Sequence, residues 1–458
     1  MKFAIAAASV LAAGVAASPA TPTKLVPQKR ATGVTPITIK GNAFFQGDKR
    51  FYIRGVDYQP GGPSEPKDPI ADTESCKRDV AKFKELGLNT IRVYTVDNSK
   101  NHDECMQALA DAGIYLALDV NSRYYSLNRA SQKAIQKSYN KVYLQSVFAT
   151  IDIFAKYDNT LLFFSANEVL DAPDTSACAP YVKAVNRDMK SYINAQGYRN
   201  IPVGYSAADV TANRLEMAQY MNCGPDAARA DFYAFNDYSW CDPDEYSTTD
   251  WAQKVKNFTD YGKPLFLSEY GCNRNKREFK QVAALYSDKM WSVYSGGLVY
   301  EYSQEEADYG LVDIKDGKVS TRPDYDALKT AFSKTPIPTD NGDFKTDGKA
   351  SACPKKSNLW EVDMADDQLP AMPDGLDEYF ENGAGNGPGL TGGSQDAGSE
   401  EQKLAPAGSG AVTTGASAGS SATGSQGAAA GLPPPFSAAP LITGAVVLFS
   451  ALVGASLL

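Results

Sequence analysis

Histidine is almost missing from this chain: His102 is the only one in 458 residues. That scarcity excludes histidine-rich zinc sites, and a Ser-His-Asp triad could use only His102, which stands in the polar helix start NHDEC. No C-x-x-C occurs, and no strand-like run is followed by a G-x-G-x-x-G or G-x-x-x-x-G-K loop that would hold a nucleotide. Net charge is −9, without a basic run long enough for nucleic acid. Long apolar stretches are confined to the two ends.

The ends carry targeting signals. The opening MKFAIAAASVLAAGVAASPA has Lys2 before an apolar, small-residue run and Val15-Ala16-Ala17 as a peptidase site, so residues 1–17 read as a secretory signal. The dibasic Lys29-Arg30 marks a further trimming site, which makes 18–30 a short pro-segment. Residues 358–431 read as a linker, acidic at first and then, over 383–431, rich in Gly, Ala, Ser and Thr. LITGAVVLFSALVGASLL closes the chain with no basic anchor after it. Residues 432–458 are therefore expected to be a removed GPI-attachment signal, with attachment near Ser425 to Gly427. A spanning helix is the rival reading, and the missing terminal Lys or Arg argues against it. Seven cysteines in a secreted chain read as disulfides, with one left over. NFT at Asn257 is the only acceptable N-glycosylation sequon.

Between the ends, residues 31–357 have the size of a single α/β barrel. Strand-like runs recur: RFYIRGVDY (50–58), TIRVYTV (90–96), IYLALDV (114–120), TLLFFSA (160–166), IPVGYSA (201–207), DFYAFNDY (231–238), PLFLSEYG (264–271) and GGLVYEYS (296–303). Helical faces lie between them. Val80, Phe83 and Leu86 precede Gly87; Met106, Leu109 and Ala110 precede Gly113; Val147, Ile151 and Phe154 repeat the spacing. Such alternation predicts a parallel sheet closed into a (β/α)8 TIM barrel, with a Gly/Ala/Ser-rich tail.

Polar residues gather at the downstream strand ends: Asp57, Tyr58 and Gln59; Tyr94; Asp119; Asn167 and Glu168; Tyr238; Glu269 and Tyr270; Tyr300, Glu301 and Tyr302. In a barrel these ends share the face that carries the active site. Carboxyls and tyrosines without a usable histidine point to glycosidic chemistry, where one carboxyl protonates the leaving oxygen and another attacks or activates water. Glu168 and Glu269 are the best pair, since each follows a buried run directly and strands four and seven face one another across the mouth. Their carboxyls could then close to about 5 Å. Asp57, Asp119, Asp237 and Glu301 are expected in structural roles, pairing with Arg54, Arg92 or Lys263 or capping a turn. The tyrosine faces suit sugar rings.

RGVDYQP, TIRVYTVD, ANEV, IPVGYS, ADFYAFNDYSWC, LSEYGCN and SGGLVYEYSQE with YGLV after it, in this order over residues 37–335, resemble the fungal GPI-anchored β-1,3-glucanosyltransferases of glycoside hydrolase family 72. The resemblance implies a retaining double displacement, with Glu168 as acid/base and Glu269 as nucleophile. It implies that Asn167 binds the donor sugar at its 2-hydroxyl and that Tyr238 hydrogen-bonds the nucleophile. Gln59, Tyr94, Asp119 and Tyr300 match substrate-contacting positions, Tyr300 being preferred to Tyr302 on spacing.

It also implies the bridges Cys76–Cys105, Cys223–Cys353 and Cys241–Cys272, leaving Cys178 in a loop as the odd one. Asp242 departs from the family's usual Gly after WC, which puts the loop beside Tyr238 in question. No cysteine follows Cys353, so the chain resembles members without the cysteine-rich carbohydrate-binding module. The expected partners are β-1,3-glucan donor and acceptor chains and a lipid anchor in the outer leaflet of the plasma membrane, facing the cell wall. No cofactor, metal or nucleic acid is expected, and the chain is expected to be a monomer. A retaining endo-β-1,3-glucanase and a catalytically inactive wall-binding protein are the competing readings.

Overall fold

The structure, a computed structural model, describes residues 33–401 and 403–409. The expected signal (1–17), pro-segment (18–30), later linker (410–431) and GPI signal (432–458) lie outside the described residues. No helix among the described residues is long and apolar enough to cross a membrane.

An antiparallel meander comes first: β1 (Ile37–Lys40), β2 (Ala43–Gln46) and β3 (Lys49–Phe51). Eight parallel strands follow and close on themselves: β4 (Ile53–Asp57), β5 (Thr90–Val93), β6 (Tyr115–Asp119), β7 (Thr160–Asn167), β8 (Val203–Ala208), β9 (Phe232–Asp237), β10 (Leu265–Tyr270) and β11 (Tyr294–Val299). Every strand-like run of the sequence lands on one of them. The helices between are α1 (Thr73–Leu86), α2 (Asp103–Asp111), α3 (Gln132–Ser138), α4 (Lys141–Phe154), α5 (Ala179–Ala195), α6 (Arg214–Met221), α7 (Trp251–Phe258) and α8 (Gln281–Leu285), with α9 (Pro323–Lys334) after the last strand. The expected punctuation is used: the Asp72 side chain accepts from the Ser75 N–H at the start of α1, and Gly87 at φ 70° closes it.

The barrel interior is layered. At its base the rings of Phe164, Phe232 and Phe266 pack at 5.4–6.0 Å, and Phe44 of the meander plugs that end 5.9 Å from Phe266. Closure between β11 and β4 needs a glycine, because a Cβ on Gly296 would fall 2.0 Å from the Ile53 carbonyl oxygen. Above the rings the lining turns polar, and that upper layer is the site.

The stretch after 357 departs from its reading as a linker. Its described part packs over the barrel flank. Trp360 is fully buried with its ring 5.3 Å from Tyr220, and β14 (Gln368–Pro370) pairs with β15 (Leu404–Pro406) after the hairpin β12–β13 (Val312–Lys315, Lys318–Thr321). Phe380, on α10 (Asp377–Asn382), sets its ring edge-on against Phe148 of α4 and Tyr192 of α5, 5.6 Å from each. Gly389 donates its N–H to Asn98 Oδ1 at 2.8 Å, and Asn140 Nδ2 donates to the Ser394 carbonyl at 2.7 Å. The apolar anchors are too widely spaced to show a period, and glycines such as Gly387 and Gly389 allow close approach to Asn98 and Asp97 in the loop after β5. Phe380→Ala should therefore cost about 3 kcal/mol of stability, the low end for a buried ring, read from denaturant unfolding. A change under about 0.5 kcal/mol, typical of a surface position, would return this stretch to a linker.

Candidate active site

Arg92 organises the polar layer. Fully buried on β5, its guanidinium stands 4.4 Å above the Phe164 ring and 4.1 Å from that of Tyr94. It donates to both oxygens of Asp119 (2.8 and 3.2 Å), to Asn167 Oδ1 (2.9 Å) and to Glu269 Oε1 (3.3 Å). A buried cation is tolerable only when paired and hydrogen-bonded in this way. Asp119 thus spends both carboxylate oxygens on Arg92.

The two glutamates sit in unlike surroundings. Glu269 receives the Tyr94 hydroxyl at 2.7 Å on Oε1 and the Tyr238 hydroxyl at 2.6 Å on Oε2, besides Arg92. Glu168 receives one neutral donor, Asn236 Nδ2, at 2.9 Å. Asn167 accepts on one atom, Oδ1, from Arg92, from Ser206 Oγ at 2.7 Å and from Asn236 at 3.1 Å. Its Nδ2 has no hydrogen-bond partner among the described residues. Ser268 Oγ completes the layer, donating to Asn236 Oδ1 at 2.8 Å.

Glu168 adopts φ 48°, a left-handed conformation rare outside glycine that costs about 1–2 kcal/mol. Both peptide groups are held: its N–H donates to the Ser206 carbonyl at 2.9 Å, and its carbonyl accepts from Arg129 Nη1 at 2.6 Å. Arg129 is itself anchored by Asp171 at 2.5 Å. Arg129→Ala should lower kcat about tenfold while KM and Tm stay near their original values, since a misplaced acid loses rate rather than binding. An equal loss in Tm would mark Arg129 as merely structural.

Burial raises both carboxyls. Glu269 is pushed up to about 7, Arg92 opposing the rise and the Glu168 charge adding to it. Glu168 is also raised by burial, with Asn236 and Arg92 opposing. Every donor on Glu269 favours its ionised form, two of them hydroxyls and one a cation, whereas Glu168 has a single amide. When one proton is shared between them, it belongs on Glu168. Asp57 is raised well above the usual range by burial, and neither of its oxygens has a hydrogen-bond partner among the described residues. Burial, helped by Glu305 and Glu269, lifts Glu301 to about 8.

A carboxyl raised in the folded state favours folding while it stays protonated. The contribution of Glu301 is complete below its ordinary 4.5 and is lost as pH rises through about 8. Tm should therefore fall between about pH 5 and about pH 9, and Glu301→Gln should flatten that fall. An unchanged slope in the variant would remove Glu301 as its source.

The other expected ion pairs form only in part. Asp237 pairs with Lys254 at 2.5 Å rather than with Lys263, and neither Asp57 nor Glu301 has a salt bridge among the described residues. Arg54 instead lies between the rings of Tyr286 and Phe332, 4.7 Å from each. Tyr300 packs beside Tyr238 (6.3 Å) and Tyr309 (5.3 Å), while Tyr302 turns inward and donates to Asp79 at 2.9 Å, as Tyr58 does at 2.7 Å. Arg277 donates to the carbonyls of Tyr300 (2.9 Å) and Tyr309 (2.6 Å) and so fixes this aromatic wall. Gln59 is half-buried just past β4, and Asn257 is exposed on α7.

Cys76–Cys105, Cys223–Cys353 and Cys241–Cys272 are bridged, with Cα atoms 5.8, 5.1 and 5.0 Å apart. Cys178 is free and buried, at the start of α5 rather than in an open loop. Asp242 has a definite use: its carboxylate accepts the backbone N–H groups of Glu278 (2.7 Å) and Phe279 (2.8 Å), tying the loop after Tyr238 to the loop after β10.

Two glutamates from facing strands, a donor amide and a wall of tyrosines at a barrel mouth define a carbohydrate-active enzyme of the glycoside hydrolase type. The chain belongs to glycoside hydrolase family 72, the glucanosyltransferases, whose match covers residues 27–336. It is 62% identical over 386 residues to the 1,3-beta-glucanosyltransferase gel1 of Aspergillus fumigatus, covering 84% of each chain. It is 50% identical over 388 residues to the 1,3-beta-glucanosyltransferase GAS5 of Saccharomyces cerevisiae, covering 83% of this chain and 77% of that one. Among solved structures, a glutamate-to-glutamine variant of Saccharomyces cerevisiae Gas2p in complex with laminaritetraose and laminaripentaose superposes with a TM-score of 0.68 at 36% identity, over 74% of this chain and 75% of that one.

Arg92, Asn236, Tyr309 and Arg129 were not among the site residues expected from sequence. An arginine inside the apolar run TIRVYTV is a signal that a buried cation must find partners. An amide before the end of DFYAFNDY is a weaker one.

Proposed function

We infer that this chain is a 1,3-β-glucanosyltransferase that cleaves a β-1,3-glucan internally and joins the new reducing end to the non-reducing end of another chain, with retention. The observation that carries the mechanism is the unequal set of donors on the two glutamates. Glu269, ionised by Arg92, Tyr94 and Tyr238, attacks the anomeric carbon; Glu168 gives its proton to the departing glucan oxygen. Asn167, whose Oδ1 is taken by Arg92, Ser206 and Asn236, would hold the donor sugar's 2-hydroxyl through Nδ2. With the leaving chain gone, Glu168 takes the proton of an acceptor hydroxyl, which displaces Glu269 and forms the new bond. The names of the relatives and the laminari-oligosaccharides bound to Gas2p support β-1,3-glucan as both donor and acceptor. Incubation with reduced laminari-oligosaccharides tests the reading. Products longer than the substrate mark transfer; shorter products alone mark a retaining endo-β-1,3-glucanase; binding without turnover marks an inactive wall-binding protein.

The chain is proposed to act as a monomer outside the cell, held at the plasma membrane by a GPI anchor and carrying an N-glycan on Asn257. The apolar carboxyl-terminal run and its small-residue approach support the anchor. Phosphatidylinositol-specific phospholipase should release the protein from membranes. Retention with the terminal peptide intact in mass spectra would replace the anchor by a spanning helix.

A further inference from the structure

The loop over residues 120–131 leaves the barrel rim at Asp119 and returns at Glu168, where Arg129 grips the acid's carbonyl. Midway along it Tyr124 holds its ring outward, 38% exposed, although its backbone is fixed: its carbonyl accepts the Ser394 N–H at 2.9 Å. Its neighbour Arg123 reaches across to the Ser64 carbonyl at 3.3 Å, in the loop that follows β4 and Gln59. The packed carboxyl-terminal stretch supplies the facing wall, tied down by Tyr125 to the Thr391 carbonyl (2.7 Å) and by Gln395 Nε2 to Ser126 Oγ (2.9 Å). Between the two runs lies a groove of about 430 Å³ lined by Arg123, Tyr124, Gly393, Gln395, Asp396 and Ala397. An aromatic face set among an amide, a guanidinium and a carboxylate is the surface that a neutral, hydroxyl-rich ring fits, stacking its C–H face and hydrogen-bonding its edge.

We propose that this groove is a remote subsite for a β-1,3-linked glucan chain that runs on from the cleft, with Tyr124 as the stacking platform and Gln395 and Asp396 as edge partners. The proposal rests on the glucanosyltransferase reading and adds to it a binding element built partly by residues 393–397, beyond the family match at residues 27–336. The glucan is the occupant because one loop borders both groove and cleft: its Arg129 holds the Glu168 carbonyl and its Arg123 reaches the loop that follows Gln59.

The test compares kcat/KM across laminari-oligosaccharides from the tetraose upward for the full chain and for Tyr124→Ala. Loss of one stacking contact should lower the ratio of long-chain to short-chain kcat/KM about three- to tenfold. Tyr124→Phe, which keeps the ring, should keep the ratio, and Gln395→Ala should lower it less than Tyr124→Ala. A ratio unmoved by Tyr124→Ala, or lowered equally by Tyr124→Phe, overturns the subsite while leaving the glucanosyltransferase reading intact. No turnover of any laminari-oligosaccharide by the unmodified chain overturns both.

Discussion

Glu269→Gln will lower turnover by on the order of 10⁴-fold or more, the scale seen when a covalent nucleophile is removed. The amide is nearly isosteric, so Tyr94, Tyr238 and Arg92 keep a partner and the fold is retained; what disappears is the attacking oxygen. The role is checked directly with an activated 2-fluoro glucoside donor, which slows both steps and the second enough for the glycosyl ester to accumulate. Peptide mapping should find the added mass on LSEYGCN, at Glu269. Tyr238→Phe should slow labelling without moving it, because that hydroxyl only orients and stabilises Oε2 at 2.6 Å. Label on Asp119 or Glu301, or products of inverted anomeric configuration, would overturn the assignment.

Glu168→Gln should cost about 10²–10⁴-fold in turnover while glucan binding persists, a rise of about 3–5 kcal/mol in the barrier. Two further readouts separate loss of the acid from loss of structure. A donor whose leaving group needs no proton should recover most of its first-step rate. The alkaline limb of kcat/KM, where the buried and therefore raised Glu168 gives up its proton, should vanish in the variant. Near-normal turnover, or an alkaline limb that survives, would take Glu168 out of the acid role.

The barrel was legible because its strands are buried on both faces, so each appears as a short continuous apolar run that stops at a polar residue. That same stop marks Glu168 and Glu269, and so the pair proposed to react could be picked out from strand ends. The network that makes them different could not. Arg92 draws its partners from β6, β7 and β10, at separations of 27, 75 and 177 residues, and no local spacing records that meeting. Asn236 reads as a polar residue near a strand end until the fold turns its amide toward Glu168. The carboxyl-terminal stretch misled for a compositional reason. Gly, Asp and Ala are its commonest residues, and the few that dock it, such as Trp360 and Phe380, follow neither a helical nor a strand period.

The crowding of carboxyls around Arg92 has a consequence for what would block this enzyme. Burial lifts Asp57, Glu168, Glu269 and Glu301 above the ordinary carboxyl range, Glu269 to about 7 and Glu301 to about 8, so a charge placed nearby can shift how far these acids ionise. A ligand carrying a fixed positive charge where the sugar's anomeric carbon would lie, such as an imino sugar quaternised at nitrogen, meets acids ready to ionise in response. Its binding is then coupled to proton release, and its affinity strengthens as pH climbs through that range, whereas an uncharged analogue of the same shape gains nothing. Calorimetry in buffers of different ionisation enthalpy would count the protons set free, and inhibitor selectivity in this site becomes a matter of charge before it is one of shape.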